Sequence, residues 1–326
     1  MRGKGKHGLE GSAHAGVAAN ESVARSHSET NCGHDQMAYP EYLPRQTLYH
    51  YTSVDGFAAI AKSKCLRLSD LAAANDPREI HLGREKVFVA LRSVLDEEYK
   101  AGGGSKLLHL ILRLVGYFDG LQIFCCCLSP TGDSLPMWNA YGANYGGLSI
   151  GFRPSAITFM TGRIQKVKYL DETNEGDFRT LALAIAAELQ TVRSESDLLP
   201  WISSGTSAIS AAIALKHDTW SYENEVRLIY VQRRDRPDNT LPVSSGPDGK
   251  PVGWRQPSER LAGAETVNYF DFPFGRFQKG AYDPKQAIEY VIIGPKCSLG
   301  VNEVDEMLKS EGFDGFTVRP PNCQIR

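Results

Sequence analysis

Polar and apolar positions first alternate with a period of two at "TLYHYTS" (47–53), which predicts an aromatic-rich strand. In "SVDGFAAIAKSKC" (53–65), Phe57, Ile60 and Ala61 recur at helical spacing, with Ser53 or Asp55 able to cap the first turn. "LRLSDL" (66–71) predicts a second strand, closed by a turn at "ANDP" (74–77). Two helical stretches follow, about 78–100 and 106–118, the first ending at "AGGGS". "LQIFCCCLS" (121–129) is apolar almost without a break, as a fully buried strand is. In "SLPMWNAYG" (134–142), Ser134 can cap a short helix that carries Pro136 in its first turn.

The second half continues in the same mixed manner. "GGLSIGF" (146–152) and "IQKVKYL" (164–170) read as strands, while 176–193 and much of 198–217 read as helix. A strand is expected over 225–231, then a long polar loop or extended hairpin over 233–260. "TVNYFDFPFG" (266–275) is a further strand, and the chain closes as strand, helix, strand through "AIEYVIIGP", "VNEVDEMLKSEG" and "GFTVRP". Helices inserted between strands without strict alternation predict an α+β fold with mixed, twisted sheets. No internal repeat is visible. Residues 1–44 hold scarcely an apolar cluster and read as a disordered N-terminal extension, leaving 45–326 as a single α+β domain.

Composition narrows the function classes. With 42% hydrophobic residues a packed core is expected, and a net charge of −2 confines any nucleic-acid contact to a local basic patch. No apolar run reaches the length of about 18 residues that a membrane span requires. Seven cysteines, three of them adjacent at 125–127, suit a reducing cytoplasm better than a disulfide framework. On a strand Cys125 and Cys127 share one face and Cys126 takes the other, so the three read as small core residues and not as one metal site. His7, His14, His27, Cys32 and His34 follow no zinc spacing, and no metal is expected. The sequence has no Walker phosphate loop and no HExxH; GxSxG spacing occurs inside the predicted strand at 147–151 and not as a strand-to-helix elbow, and GxGxxG spacing occurs at 3–8 with no strand before it.

Three clusters remain, each at a predicted strand or turn. Tyr49-His50-Tyr51-Thr52 lies on the opening strand, where His50 and Thr52 point one way and the tyrosines the other. Trp138 and Tyr141 are three apart and share a side of a helical turn, which suits stacking on a flat heterocycle as well as ordinary packing. Glu223, Glu225 and Arg227 share a strand face in "WSYENEVRLIYV" (220–231), as a structural Glu–Arg pair or as an acid held by a clamp. Together these supply the parts of a site that binds a nicotinamide nucleotide and stabilises a developing cation. The arginines at 227, 233, 234, 236, 255 and 260 offer an alternative: a nucleic-acid-binding or nucleotide-binding module without NAD chemistry.

The segments beginning "LYHYTSVDGF", "CLSPTGDSLPMWNAYGANYGGLSIGF", "KHDTWSYENEVRLIY" and "YVIIGP" resemble, in order and spacing, a bacterial family of domains of unknown function, number twenty-nine seventy-one, over residues 47–317. The opening strand is also similar to that of the His-Tyr-Glu type ADP-ribosyltransferases, including DNA-modifying toxins. That resemblance implies an ADP-ribosyltransferase-like fold and NAD as substrate. His50 then binds a ribose, Thr52 lines the carboxamide pocket, and Tyr51 is counted with them as NAD-binding. Trp138 or Tyr141 stacks on the nicotinamide, Glu225 is the catalytic acid, Arg227 keeps it ionised, and Glu223 orients or deprotonates the acceptor. The acceptor, protein or nucleic acid, is left open, as is hydrolysis by water. The implied setting is a bacterial defence or toxin effector.

Overall fold

Three strand segments that alternate or run apolar in the sequence (Leu48–Thr52, β1; Leu121–Leu128, β3; Val226–Arg233, β8) are the strands around which the fold is organised. The computed structural model describes residues 41–73, 79–102, 104–160, 162–170, 175–194, 198–233, 244–245, 251–252, 256–274 and 283–323. All of them fall within one compact unit, Ala38–Arg326. The expected turn at 74–77 and most of the 233–260 loop lie outside the described residues, as do residues 1–40. The described residues 41 and 42 already bond to the fold. The Tyr42 N–H donates to the Ile164 carbonyl (2.9 Å), and the Ile164 N–H donates to the Glu41 carboxylate (3.0 Å).

The fold is mixed α and β, with strands numbered along the chain. One sheet has the order β1-β4-β13-β14, with β4 at Leu148–Phe152, β13 at Ile288–Ile293 and β14 at Thr317–Arg319; only the last pair is parallel. The second is antiparallel in the order β11-β12-β2-β3-β8-β5. Its remaining strands are β2 (Cys65–Asp70), β5 (Arg163–Lys166), β11 (Ser258–Ala262) and β12 (Glu265–Pro273). Two-strand ladders join β6 (Lys168–Leu170) to β7 (Leu215–His217) and β9 (Ser244–Ser245) to β10 (Pro251–Val252). The segment read as one strand over 164–170 is therefore two, broken at Val167.

Period-two alternation explains the layering. Leu48, Leu148, Ile150, Phe152 and Val291 of the first sheet meet Leu66, Leu68, Phe124, Cys126, Leu128, Val226 and Leu228 of the second in one core. The opposite face of the second sheet presents Leu121, Ile123, Cys125 and Ile229 to a helical layer. That layer is built from α2 (Glu79–Lys100), α3 (Ser105–Asp119), α6 (Glu175–Gln190) and α7 (Leu198–Ile213), while α1 (Val54–Ser63), α5 (Pro154–Thr158) and α8 (Val301–Ser310) add Phe57, Ile157 and Val304 to the first core. The central strands β3 and β8 are thus covered on both faces, which accounts for their nearly continuous apolar sequences.

One corner joins the sheets. Tyr49 of β1 exchanges both backbone hydrogen bonds with Ser129, just past β3, at 2.7 and 2.8 Å. On the far side of β1, the loop from α4 (Leu135–Ala140) to β4 turns through three consecutive left-handed residues, Ala143, Asn144 and Tyr145, and closes at Gly147. A Cβ on Gly147 would lie 2.0 Å from the Thr52 carbonyl oxygen, so only glycine lets this loop reach the end of β1. Gly147→Ala is expected to lower unfolding free energy by about 1–3 kcal/mol in urea titration, because backbone would have to move. A loss below about 0.5 kcal/mol would show that the contact yields freely.

Candidate active site

The joining corner also fixes the acids. The Ser129 hydroxyl donates to the backbone carbonyl of Glu223 at 2.8 Å, tying that residue to β1 and β3 at once. Glu223 ends a short 3₁₀ helix, Asp218–Glu223, and does not lie on the strand as the sequence pattern implied. Asn224 follows in the left-handed region (φ 44°), a conformation asparagine tolerates better than most residues, and β8 begins only at Val226. The kink replaces strand alternation, yet it still brings both carboxylates together.

They converge on Lys216 of β7. Its Nζ lies 2.5 Å from Glu223 Oε2 and 3.3 Å from Glu225 Oε2, and 4.9 Å from the centre of the Trp220 ring. Glu225 is also gripped by Arg227, Nε to Oε1 at 2.8 Å and Nη2 to Oε2 at 2.9 Å, while Arg227 Nη1 donates to the Ile213 carbonyl. Tyr141, just past α4, donates its hydroxyl to Glu223 Oε1. The Glu225 N–H donates to the Tyr169 hydroxyl at 2.8 Å. All four charged residues are buried, and two carboxylates stand against two cations. Ionised groups survive at this depth only when paired and hydrogen-bonded.

Burial raises the proton affinity of Glu225, with Lys216 and the Cys127 thiol partly offsetting it. Burial alone would pull the Lys216 ammonium down. Glu225 and Glu223 more than compensate, so its net shift is upward. The Arg227 guanidinium is drawn down by burial to about 9, which leaves it protonated at neutral pH.

His50 reaches the same neighbourhood from β1. Its Nδ1 lies 3.0 Å from the Cys127 carbonyl oxygen, and a carbonyl can only accept, so Nδ1 carries the hydrogen. Burial lowers its pKa, partly opposed by that bond, so the ring is neutral near pH 7 and Nε2 keeps its lone pair. Cys127 in turn contacts Glu225. A hydrogen bond to Cys125, burial and the charge of Glu225 hold its thiol well above the usual value, so it donates S–H to the carboxylate. Cys127 is nevertheless exposed to solvent, and His50 is partly so. Solvent access combined with dense surrounding protein is what side chains lining a recess display. His50 and Glu225 therefore meet at one residue of β3, on its carbonyl and its thiol.

The other expected site residues divide. Thr52 and Tyr141 retain partial exposure beside this corner. Trp138 does not suit stacking: it is fully buried, its ring meets Tyr51 edge-on at 4.8 Å, and its Nε1–H donates to Asp133 at 2.7 Å. Tyr51 is buried as well, its hydroxyl donating to the Thr131 carbonyl at 2.8 Å and accepting from the Ser134 N–H at 3.1 Å. Arg227 holds Glu225 but is too enclosed to touch a ligand. Of the arginines considered for phosphate contact, 234, 236 and 255 lie outside the described residues, while Arg260 is exposed on β11. Among the described residues no group of three His, Cys, Asp or Glu side chains is arranged to hold a metal ion, and no helix is long and apolar enough to cross a membrane.

Residues 137–228 match the family model Protein of unknown function (DUF2971). The DUF2971 match runs from α4 into β8 and so contains Tyr141, Lys216, Glu223, Glu225 and Arg227. It bears out the family resemblance over this stretch; His50 lies outside it. No curated protein and no solved structure matches the chain.

Sequence reading missed Lys216, which it placed at the end of a helix, and it took Cys127 for core. The one available signal was a lysine closing the apolar run "AISAAIALK", a place where a charge needs a buried partner. Arg227→Met should cost about 3–5 kcal/mol of stability in denaturant titration, since it leaves an excess buried carboxylate. A loss under about 1 kcal/mol would mean that the guanidinium is not what holds Glu225.

Proposed function

We propose that the protein cleaves NAD at the nicotinamide–ribose bond and passes the ADP-ribosyl group to an acceptor nucleophile or to water. The observation that supports this most is the meeting of His50 and Glu225 at Cys127, a residue that solvent reaches. Departure of nicotinamide leaves positive charge at the ribose C1′. A carboxylate already oriented stabilises that charge more in the transition state than in the ground state. Arg227 supplies the orientation through its two-point grip on Glu225. The neutral His50 accepts from a ribose hydroxyl through Nε2. Tyr141, partly exposed, offers the available aromatic face in place of Trp138. Glu223, bound to Tyr141 and Lys216, is the second acid and serves the acceptor.

A second reading has its own support. Both Glu225 oxygens are already taken by Arg227, Lys216 and Cys127, which is also how a purely structural brace is built. On that reading the recess binds a nucleotide and cleaves nothing. Chromatographic assay of free nicotinamide separates the two. Purified protein with NAD, in water and with protein or nucleic-acid acceptors, should release nicotinamide, and Glu225→Gln should slow release about 100-fold or more while remaining folded. Binding of NAD by calorimetry with no release supports the second reading; neither binding nor release removes both.

A further inference from the structure

Lys216 stands at the centre of the buried acids and has no role in the chemistry described above. The ionisable groups around it come from several elements. Glu223 ends the 3₁₀ helix, Glu225 directly precedes β8, Arg227 lies on β8, Cys127 lies on β3, Tyr141 follows α4 and Tyr169 lies on β6. Its ammonium is closer to Glu223 (2.5 Å) than to Glu225 (3.3 Å), whereas Arg227 grips both oxygens of Glu225. With all four groups ionised the cluster is neutral. Without Lys216 it would carry one uncompensated negative charge.

We infer that Lys216 is a positioning residue: by neutralising Glu223 it allows Glu225, close beside it, to remain ionised and aimed from the brace toward the recess. Two adjacent buried carboxylates cannot both stay charged without a cation between them, and one would take up a proton. The proton would come from water, and no covalent bond changes. The catalytic consequence rests on the NAD reading; the charge balance does not.

The test combines thermal melting from pH 5 to 8 with the pH profile of nicotinamide release, on the full chain. Four variants are compared with wild type: Lys216→Met, Glu223→Gln, the double variant Lys216→Met/Glu223→Gln, and Lys216→Arg. In Lys216→Met the folded carboxylates have a proton affinity above that of the unfolded chain. Their contribution is then full below the unfolded carboxylate pKa of about 4.3 and is lost as pH rises through the folded value. Relative to wild type, Lys216→Met should therefore melt lower at pH 8 than at pH 5, by about 5 °C or more. The double variant, neutral again, should melt above either single variant at pH 8. In nicotinamide release, Lys216→Met should move the acid limb of activity upward by about one pH unit or more, and Lys216→Arg should restore it.

A Lys216→Met protein whose melting follows the wild-type pH profile, with no rescue in the double variant, overturns the charge balance. Should Lys216→Met fail to fold, the double variant and Lys216→Arg decide: a double variant that also fails overturns the charge balance. An active Lys216→Met enzyme with an unmoved acid limb overturns the positioning role. A wild type that releases no nicotinamide overturns the NAD reading and with it the catalytic consequence, and the melting series then judges the charge balance by itself.

Discussion

Four buried charges in balance are the constraint on which the rest of this structure depends. Glu223, Lys216 and Arg227 come from a 3₁₀ helix and two strands, Glu225 from the short link between that helix and β8, and each would be costly at that depth without the others. Their requirement for one another fixes the 3₁₀ helix against β7 and β8. Through the Ser129 hydroxyl on the Glu223 carbonyl, the same requirement reaches the corner where the two sheets join. The hydrophobic layers bring the strands together; the charges determine how their ends meet.

That arrangement lies at a seam. His50 arrives from the first sheet, Cys127 belongs to the second, Glu225 directly precedes strand β8 of the second, and the three meet where Tyr49 and Ser129 bridge the sheets. Groups contributed by separate rigid elements can be held to a defined geometry with little freedom to drift. The same packing removes Trp138 and Tyr51 from contact with any ligand: edge-on to each other and hydrogen-bonded to Asp133, Thr131 and Ser134, they brace α4 against β1. Tyr141, at the end of that helix, is thereby aimed at Glu223.

Much of the scaffold was legible because its cause is local. Alternation at 47–53, the unbroken apolar run at 121–129 and the run after Glu225 each report burial directly, and each is a strand. The break at Val167 and the strand character of Lys216 were not legible, since both arise from the ladder between β6 and β7, whose partners, such as Tyr169 and Lys216, lie far apart in the chain. The site was legible only in part. "YENEVR" announced an acid and its arginine, and the structure pairs Glu225 with Arg227 as that spacing suggested. Periodicity gave no hint that Asn224 would turn left-handed, that Glu223 would leave the strand, or that the thiol of Cys127 would reach solvent beside Glu225. Those outcomes follow from tertiary contacts: a serine just past β3, a lysine from β7 and a tyrosine just past α4.

The most direct measurement of the central claim is a crystal structure with an NAD analogue whose ribose ring oxygen is replaced by carbon, so that the nicotinamide bond survives. The account predicts the nicotinamide ribose in the recess, with a hydroxyl within hydrogen-bond reach of His50 Nε2 and C1′ facing the Glu225 carboxylate. An analogue bound elsewhere, or a recess that stays free of it at saturating concentration, would contradict the account.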